Sequence, residues 1–128
     1  MSTRLKVVYV AGPYRAKSGA HDASVYNEIE ENIRQAEAAA IRLWAAGFGV
    51  LCPHLNTAHF EVKCPSIPTE AYLLTDLRLL AVCDIIYLLP GWELSAGSIG
   101  EKDLMERLGR PIYTDIEHLI AMEGGPQC

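Results

Sequence analysis

Residues 84–101 read DIIYLLPGWELSAGSIGE, and this stretch decides the fold. It begins with a β-branched, apolar run that is typical of a buried strand and stops at Pro90-Gly91. Small residues then dominate as far as one carboxylate, Glu101, and the pattern continues as a helix with a stop signal at Gly109. The stretch therefore predicts a buried strand followed by a helix that carries Glu101 near its beginning.

The same alternation extends along the whole chain. Strands are predicted at residues 6–12, 48–53, 84–91 and 110–114, and helices at residues 25–47, 69–83, 95–109 and 115–123. Residues 54–68 are predicted to be irregular, and their length favours a functional loop. Alternating strands and helices predict one α/β domain over residues 1–123, with a mainly parallel sheet of four to five strands and helices on both faces. Residues 124–128 are predicted to be a flexible tail.

Composition excludes several classes of partner. The 128 residues carry a net charge of −5 without a cluster of basic residues, so neither duplex nucleic acid nor an anionic membrane is expected to bind. No apolar run approaches the roughly 20 residues of a membrane helix. The four cysteines form no CxxC pair, and two lie in apolar stretches, which indicates buried thiols in a reducing compartment. A cytoplasmic protein is therefore expected.

Three unusual segments follow predicted strands, and ligands bind at the carboxyl ends of strands in parallel sheets. The segments are AGPYR, CPH and LPGW, and their candidate binding residues are Gly12, Tyr14, Arg15, His54, Gly91 and Trp92. The aromatic rings suit base stacking, and the guanidinium suits a phosphate or carboxylate. Each also has a purely structural alternative, as a solvated loop residue, a loop hydrogen bond or a loop anchor. We expect the three segments to line one crevice.

No metal or cofactor signature accompanies these segments. Cys52, His54 and His59 lie close in sequence, but their spacing matches no standard zinc site. Neither GxGxxG nor GxxxxGK[ST] occurs, so a dinucleotide cofactor and a P-loop have no support. We expect no metal and no cofactor.

Glu101 has two interpretations. Ser98 and Glu101 fit the S-x-x-E capping box, in which both only satisfy free backbone N–H groups. However, Gly97 and Gly100 fall in what would be the first helical turn, where each weakens the helix. A ligand that approaches the backbone closely would explain both glycines.

Asp76 is the second candidate carboxylate. Helical spacing places it on one stripe with Leu73, Leu80 and Cys83, where an acid is costly unless it is paired or useful. Asp84, by contrast, favours a turn or helix-end hydrogen bond. Two carboxylates that face one crevice can support glycosidic cleavage, with one as nucleophile and the other transferring a proton.

The chain resembles the nucleoside 2-deoxyribosyltransferase-like superfamily, and within it a small bacterial and phage branch. The resemblance rests on VYVAGPYR, on the NI…PH run through His54, and on DLRLLAVCDIIYLLPGWELSAGSIGE, which contains an S-x-G-x-x-x-E signature at Ser95, Gly97 and Glu101. It spans about nine-tenths of the chain and implies a flavodoxin-like, doubly wound fold. It also implies cleavage of the N-glycosidic bond of nucleosides or nucleoside 5′-monophosphates, with Glu101 as nucleophile and Asp76 as acid and base.

The resemblance further implies that Ser95 and Gly97 bind the 5′-phosphate, and that the protein is a homodimer or larger homo-oligomer in which neighbouring subunits complete the pocket. No asparagine obviously matches the partner-subunit residue of the transferases, which favours hydrolysis over transfer. Two alternatives remain open. One is a non-catalytic nucleotide-binding sensor on the same fold, and the other is a phosphoribohydrolase, although the PGG-x-GT form of that group is absent.

Overall fold

Four parallel strands form the sheet at the centre of the molecule. The structure is a computed structural model that describes residues 5–16 and 23–124. The strands are β1 (Val7–Ala11), β2 (Gly49–Leu51), β3 (Ile85–Leu88) and β4 (Ile112–Tyr113). Every neighbouring pair is parallel, and the order across the sheet is β2-β1-β3-β4. The prediction of a flavodoxin-like, doubly wound fold is confirmed.

Helices cover both faces of this sheet. They are α1 (Ala23–Ala45), α2 (Pro53–Asn56), α3 (Phe60–Lys63), α4 (Thr69–Leu80), α5 (Ala96–Arg107) and α6 (Ile116–Glu123), and a 3₁₀ turn spans Trp92–Leu94. Within residues 5–16 and 23–124, none of the helices combines the length and the apolar character needed to cross a membrane. The predicted tail lies outside the described residues from position 125 onward.

Alternation along β1 separates the two cores. Val8 and Val10 pack on one face with α1 and with Leu119 of α6. Tyr9 and Ala11 pack on the opposite face with residues of α4 and α5. Because successive side chains of a strand point to opposite faces, this register alone directs Tyr9 toward α4 and α5.

The segment predicted to be irregular contains two short helices, α2 and α3, so that prediction is wrong in part. Pro53 is the first residue of α2, a position where the missing N–H costs nothing. His59 adopts a left-handed conformation with φ of 61° and separates α2 from α3. Each helix is only four residues long, too short to produce a periodic apolar pattern.

Backbone geometry explains two glycines that were candidate binding residues. A Cβ atom added to Gly12 would lie 2.7 Å from Cβ of Leu89, which leaves no room for a side chain. Gly91 has φ of 89° in the turn where the N–H of Trp92 donates to the Leu89 carbonyl at 3.1 Å. A positive φ at this position favours glycine. Both glycines therefore have a structural reason to be present.

Asp84 contacts the start of a strand, and two of the cysteines are buried. The Asp84 carboxylate accepts a hydrogen bond from the backbone N–H of Val7 at 2.8 Å and so holds the start of β1, rather than a turn or helix end. Cys52 and Cys83 are buried, as predicted, and both are free thiols. Burial raises the pKa of each thiol to about 11, which keeps both protonated at neutral pH.

Candidate functional site

A cavity of about 390 Å³ lies at the carboxyl ends of the strands. Its walls come from the segment after β1, from α2 and α3, from α4 and from the beginning of α5. Eight candidate residues line it, namely Gly12, Tyr14, Arg15, His54, Asp76, Ser95, Gly97 and Glu101. The fold thus brings the two candidate carboxylates and most of the candidate binding residues into one cavity.

Gly91 and Trp92 are not among the lining residues. The Trp92 ring packs against the core that contains Tyr9, and Nζ of Lys102 lies 5.8 Å from the centre of the ring. The expectation that three strand-end segments line one crevice is therefore wrong for LPGW. Residues 94–98 line the cavity instead. They follow the turn at Gly91 and lie at the end of the 3₁₀ turn and the beginning of α5.

Tyr9 positions Glu101. The Tyr9 side chain is completely buried, and its hydroxyl donates a hydrogen bond to Oε2 of Glu101. Tyr9 is not a candidate from the sequence, because it lies within an apolar run that is typical of a buried strand. The available signal was a hydroxyl-bearing side chain within the strand that leads directly to the predicted binding edge.

The capping interpretation of Glu101 is wrong. Helix α5 begins at Ala96, and its N-cap is Ser95, whose Oγ accepts from the Ser98 N–H at 3.2 Å. Glu101 therefore lies in the second turn, where its carboxylate accepts from Tyr9 instead of from a free backbone N–H. Gly100 also lies in the second turn, and not in the first as expected.

Burial dominates the electrostatics of the two carboxylates. It raises the pKa of Glu101 from 4.5 to about 7, a rise that the nearby Asp76 increases and the Tyr9 hydrogen bond reduces. Burial likewise raises the pKa of Asp76 from 3.8 to about 6. Burial and the two carboxylates raise the pKa of Tyr9, so its hydroxyl stays protonated and remains a donor. The pair therefore retains a proton close to neutral pH.

The first turn of α5 leaves space on the cavity side. A Cβ atom added to Gly97 would lie 3.8 Å from Cδ2 of Leu73, an ordinary contact distance. Ser98 is buried, and its hydroxyl donates to Oγ of Ser95 at 3.1 Å. Absence of a side chain at Gly97 thus enlarges the cavity beside the free N–H groups of a helix N-terminus.

Hydrogen bonds fix the loop after β1. Nε2 of the buried His54 lies 2.8 Å from the Pro13 carbonyl, and burial lowers the pKa of His54, so the neutral ring donates from Nε2. Nδ2 of Asn32 donates to the Tyr14 carbonyl at 3.1 Å. Nη2 of Arg15 donates to Oγ1 of Thr69 at 3.0 Å. The loop is therefore attached to α1, α2 and α4.

Metal ligation has little to support it in the part of the chain that the structure describes. No group of three or more His, Cys, Asp or Glu side chains there could hold a metal ion. Of the three residues considered from the sequence, His54 contacts the Pro13 carbonyl and His59 contacts Glu30.

The family of the chain follows from residues 6–114. They match the family described as "Domain of unknown function (DUF4406)". The chain belongs to this family. The match extends from the start of β1 through β4, so the DUF4406 region contains every residue that lines the cavity. No curated protein matches the chain.

The raised pKa of Glu101 predicts how stability depends on pH. Between pH 4.5 and about 7 the folded protein holds a proton on Glu101 that the unfolded chain releases, so stability falls as pH rises through this window. Glu101→Gln removes this loss and keeps an acceptor oxygen for Tyr9. We expect the variant to be more stable than wild type by roughly 1–3 kcal/mol at pH 8, with the advantage shrinking toward pH 4.

Urea unfolding at several pH values measures this difference. Glu93→Gln is the matched control, because it removes the same charge from an exposed position. A Glu101→Gln variant that is no more stable than wild type at pH 8 would contradict the prediction.

Proposed function

We propose that the protein cleaves the N-glycosidic bond of nucleoside 5′-monophosphates, with Glu101 as the nucleophile and Asp76 as the acid and base. The observation that carries the proposal is a partly buried carboxylate, held by the Tyr9 hydroxyl, in the same cavity as a second carboxylate. The sequence resemblance to the nucleoside 2-deoxyribosyltransferase-like superfamily supports the same assignment. The proposed partner is a small nucleotide or nucleoside.

Two carboxylates suffice for a double displacement. An oxygen of Glu101 attacks C1′ of the sugar, the bond from C1′ to the base breaks, and its electron pair leaves with the base. Asp76 gives the departing base a proton. A water molecule then gives a proton to Asp76 and attacks C1′, which releases the sugar phosphate and restores the Glu101 carboxylate. A second base in place of water would give transfer, but hydrolysis is favoured because no asparagine matches the partner-subunit residue.

The raised pKa values keep one proton on the carboxylate pair near neutral pH, and the higher value of Glu101 places that proton on Glu101 more often than on Asp76. The reactive form needs Glu101 ionised and Asp76 protonated, so the pair must hold one proton in total. Since burial raises the pKa of Glu101 to about 7 and that of Asp76 to about 6, the singly protonated pair is most abundant between those values. The two apparent pKa values belong to the pair, and the Tyr9 hydrogen bond favours ionisation at Glu101.

Release of free base tests both roles. We expect Glu101→Gln to lower base release by at least about 10³-fold, because the amide cannot form the glycosyl ester. In wild type the rate should have a maximum near pH 6–7. Asp76→Asn should remove the fall on the alkaline side, where loss of the Asp76 proton limits the rate. It should also move the acid limb to lower pH, because the charge that raises the pKa of Glu101 is gone.

Glu93→Gln provides the control variant, since this carboxylate is exposed and does not line the cavity. Near-normal base release from Glu101→Gln would rule out the nucleophile. Nucleotide binding without any base release by wild type would favour the non-catalytic sensor.

The beginning of α5 is proposed to bind the 5′-phosphate. Ser95 and Gly97 line the cavity at the N-terminus of a twelve-residue helix, where free N–H groups and the helix dipole favour an anion. Ser95 is also the N-cap, so replacing it would disturb the helix and the ligand together. Gly97 separates the two effects, because a methyl group there would make only ordinary contacts, 3.8 Å from Leu73 and 4.0 Å from Ser95.

Gly97→Ala should therefore weaken catalysis without weakening the fold. We expect kcat/KM for 5′-monophosphates to fall at least about tenfold, with a smaller change for nucleosides. The melting temperature should be equal or higher, because alanine favours helix by up to about 1 kcal/mol over glycine. Gly100→Ala is the matched control, since it lies in the same helix, does not line the cavity and has no atom within 4 Å of the added Cβ. Equal losses in both variants would contradict phosphate binding at Gly97.

A homodimer or larger homo-oligomer is also proposed. Leu73 and Leu94 line the cavity, yet 46% and 73% of their surfaces remain exposed, and the neighbouring Leu74 is 62% exposed. A second copy that covers these side chains would also close the cavity mouth. Light scattering at micromolar concentration should give the mass of a dimer or larger, and a monomer would contradict the proposal. Leu74→Glu should shift the mass toward the monomer, whereas Val82→Glu, exposed but outside the cavity lining, should not.

The proposed location is the cytoplasm. Free, buried thiols at Cys52 and Cys83 support a reducing compartment, because disulfide-containing secreted domains rarely keep cysteines in this state.

A further inference from the structure

Three buried polar atoms lack a hydrogen-bond partner among the described residues. They are Nδ1 of His59, Oε2 of Glu61 and the hydroxyl of Tyr72. Glu61 and Tyr72 line the cavity that also contains Glu101. Buried polar atoms are nearly always paired, because leaving one unpaired costs about 1–3 kcal/mol. Two residues of the cavity wall therefore carry an acceptor and a hydroxyl that have no hydrogen-bond partner among the described residues.

The Glu61 carboxylate is held in one orientation. Its Oε1 accepts from the Tyr14 hydroxyl at 2.7 Å, and that hydroxyl accepts from the His59 N–H at 2.9 Å. Nε2 of His59 lies 2.7 Å from Oε1 of Glu30 in α1, and the His59 ring stacks on Tyr26 with centroids 4.3 Å apart. Nδ1 of His59 is 3.9 Å from Oε2 of Glu61, which is too far for a hydrogen bond. Oε2 is thus a positioned acceptor that has no hydrogen-bond partner among the described residues, and its only ion-pair contact there is with His59 when that ring is protonated.

Three parts of the cavity can be assigned to three parts of a nucleotide. Under the proposed function, on which this inference rests, the phosphate contacts the first turn of α5 and the sugar contacts Glu101 and Asp76. The wall formed by Glu61, Tyr14 and Tyr72 then remains for the base. A carboxylate oxygen can only accept a hydrogen bond, so its partner on the base must be a donor.

We propose that Glu61 and Tyr72 select bases that carry an exocyclic amino group, as in adenine and cytosine. Oε2 of Glu61 accepts from the amino group, and the Tyr72 hydroxyl donates to the ring nitrogen beside it. Hypoxanthine and uracil present a carbonyl oxygen and a ring N–H at the corresponding positions. There a carboxylate would face another acceptor, and the pattern of donors and acceptors would be reversed.

Matched nucleotide pairs test this selection by equilibrium binding. Cytidine and uridine 5′-monophosphates form one pair, and adenosine and inosine 5′-monophosphates form the other, each in ribose and deoxyribose forms. Calorimetry in the Glu101→Gln background prevents turnover during the measurement. We expect the amino member of at least one pair to bind at least about tenfold more tightly, the discrimination typical of one hydrogen bond to a charged group.

Glu61→Gln should change the preference, and not merely the affinity. The amide keeps an oxygen for Tyr14 but presents an NH₂ group where Oε2 was, so the preference should fall below about threefold or reverse. Glu70→Gln is the control, because this residue of α4 is exposed and does not line the cavity. It should keep the original preference.

Tyr72→Phe provides an independent variant should Glu61→Gln fail to fold. The Tyr72 hydroxyl has no partner among the described residues, so its removal leaves none of them unpaired. We expect the preference for the amino member to fall at least about threefold. An unchanged preference in Tyr72→Phe, or equal binding within both pairs by the protein with Glu61 intact, would overturn the inference.

Base release separates this inference from the proposed function. Selective binding that Glu61→Gln abolishes, without base release by wild type, would support recognition by Glu61 and remove the glycosidase proposal. Base release from all four nucleotides, with no preference in binding, would remove the inference alone.

Discussion

The hydrogen bond between Tyr9 and Glu101 links the centre of the sheet to the helix that forms one wall of the cavity. Tyr9 lies in β1, which pairs with β2 on one side and β3 on the other, so its hydroxyl has little freedom to move. Glu101 lies in the second turn of α5, and the bond fixes its carboxylate relative to the strand ends. Because this carboxylate is held in place, Asp76, Ser95 and Gly97 have defined positions relative to it around the cavity.

Placing this carboxylate in the interior has an energetic cost. Burial raises the pKa values of Glu101 and Asp76 together, which means that the folded protein disfavours the ionised pair. The Tyr9 hydrogen bond offsets part of this cost at Glu101. Such an arrangement stabilises the fold less than an apolar pair would, yet it keeps a proton on the carboxylate pair near neutral pH, which the proposed reaction requires. The cavity is therefore explained better by chemistry than by stability.

Glycines around the cavity have different reasons to be present. Gly12 allows β1 and β3 to approach closely, and Gly91 adopts a positive φ in the turn before α5. At Gly97, by contrast, a methyl group would fit, so packing does not require a glycine there. The space beside the helix N-terminus therefore supports the proposed contact with a phosphate. Oε2 of Glu61 in α3, which has no hydrogen-bond partner among the described residues, is likewise proposed to contact a ligand.

The sequence by itself determined the alternation of strands and helices, and with it the parallel sheet and the edge of the sheet where the cavity lies. It also placed Glu101, Asp76, Ser95, Gly97 and the residues after β1 and β2 near that edge, because strand ends and helix starts are local features of the chain. Periodicity could not reveal α2 and α3, since a single helical turn has no repeat. The S-x-x-E pattern offered Ser98 as the cap of α5, although the N-cap is Ser95, three residues earlier.

Only the tertiary structure decided which partners these residues have. Tyr9 and Glu101 are 92 positions apart, and Tyr14 and Glu61 are 47 apart, so no local pattern could pair them. The register of β1 sends Tyr9 to the α4 and α5 face, and the paths of α3 and the β1 loop bring Glu61 to Tyr14. Hydrogen bonds and burial depend on distances across the fold, whereas strand and helix patterns depend on neighbours along the chain.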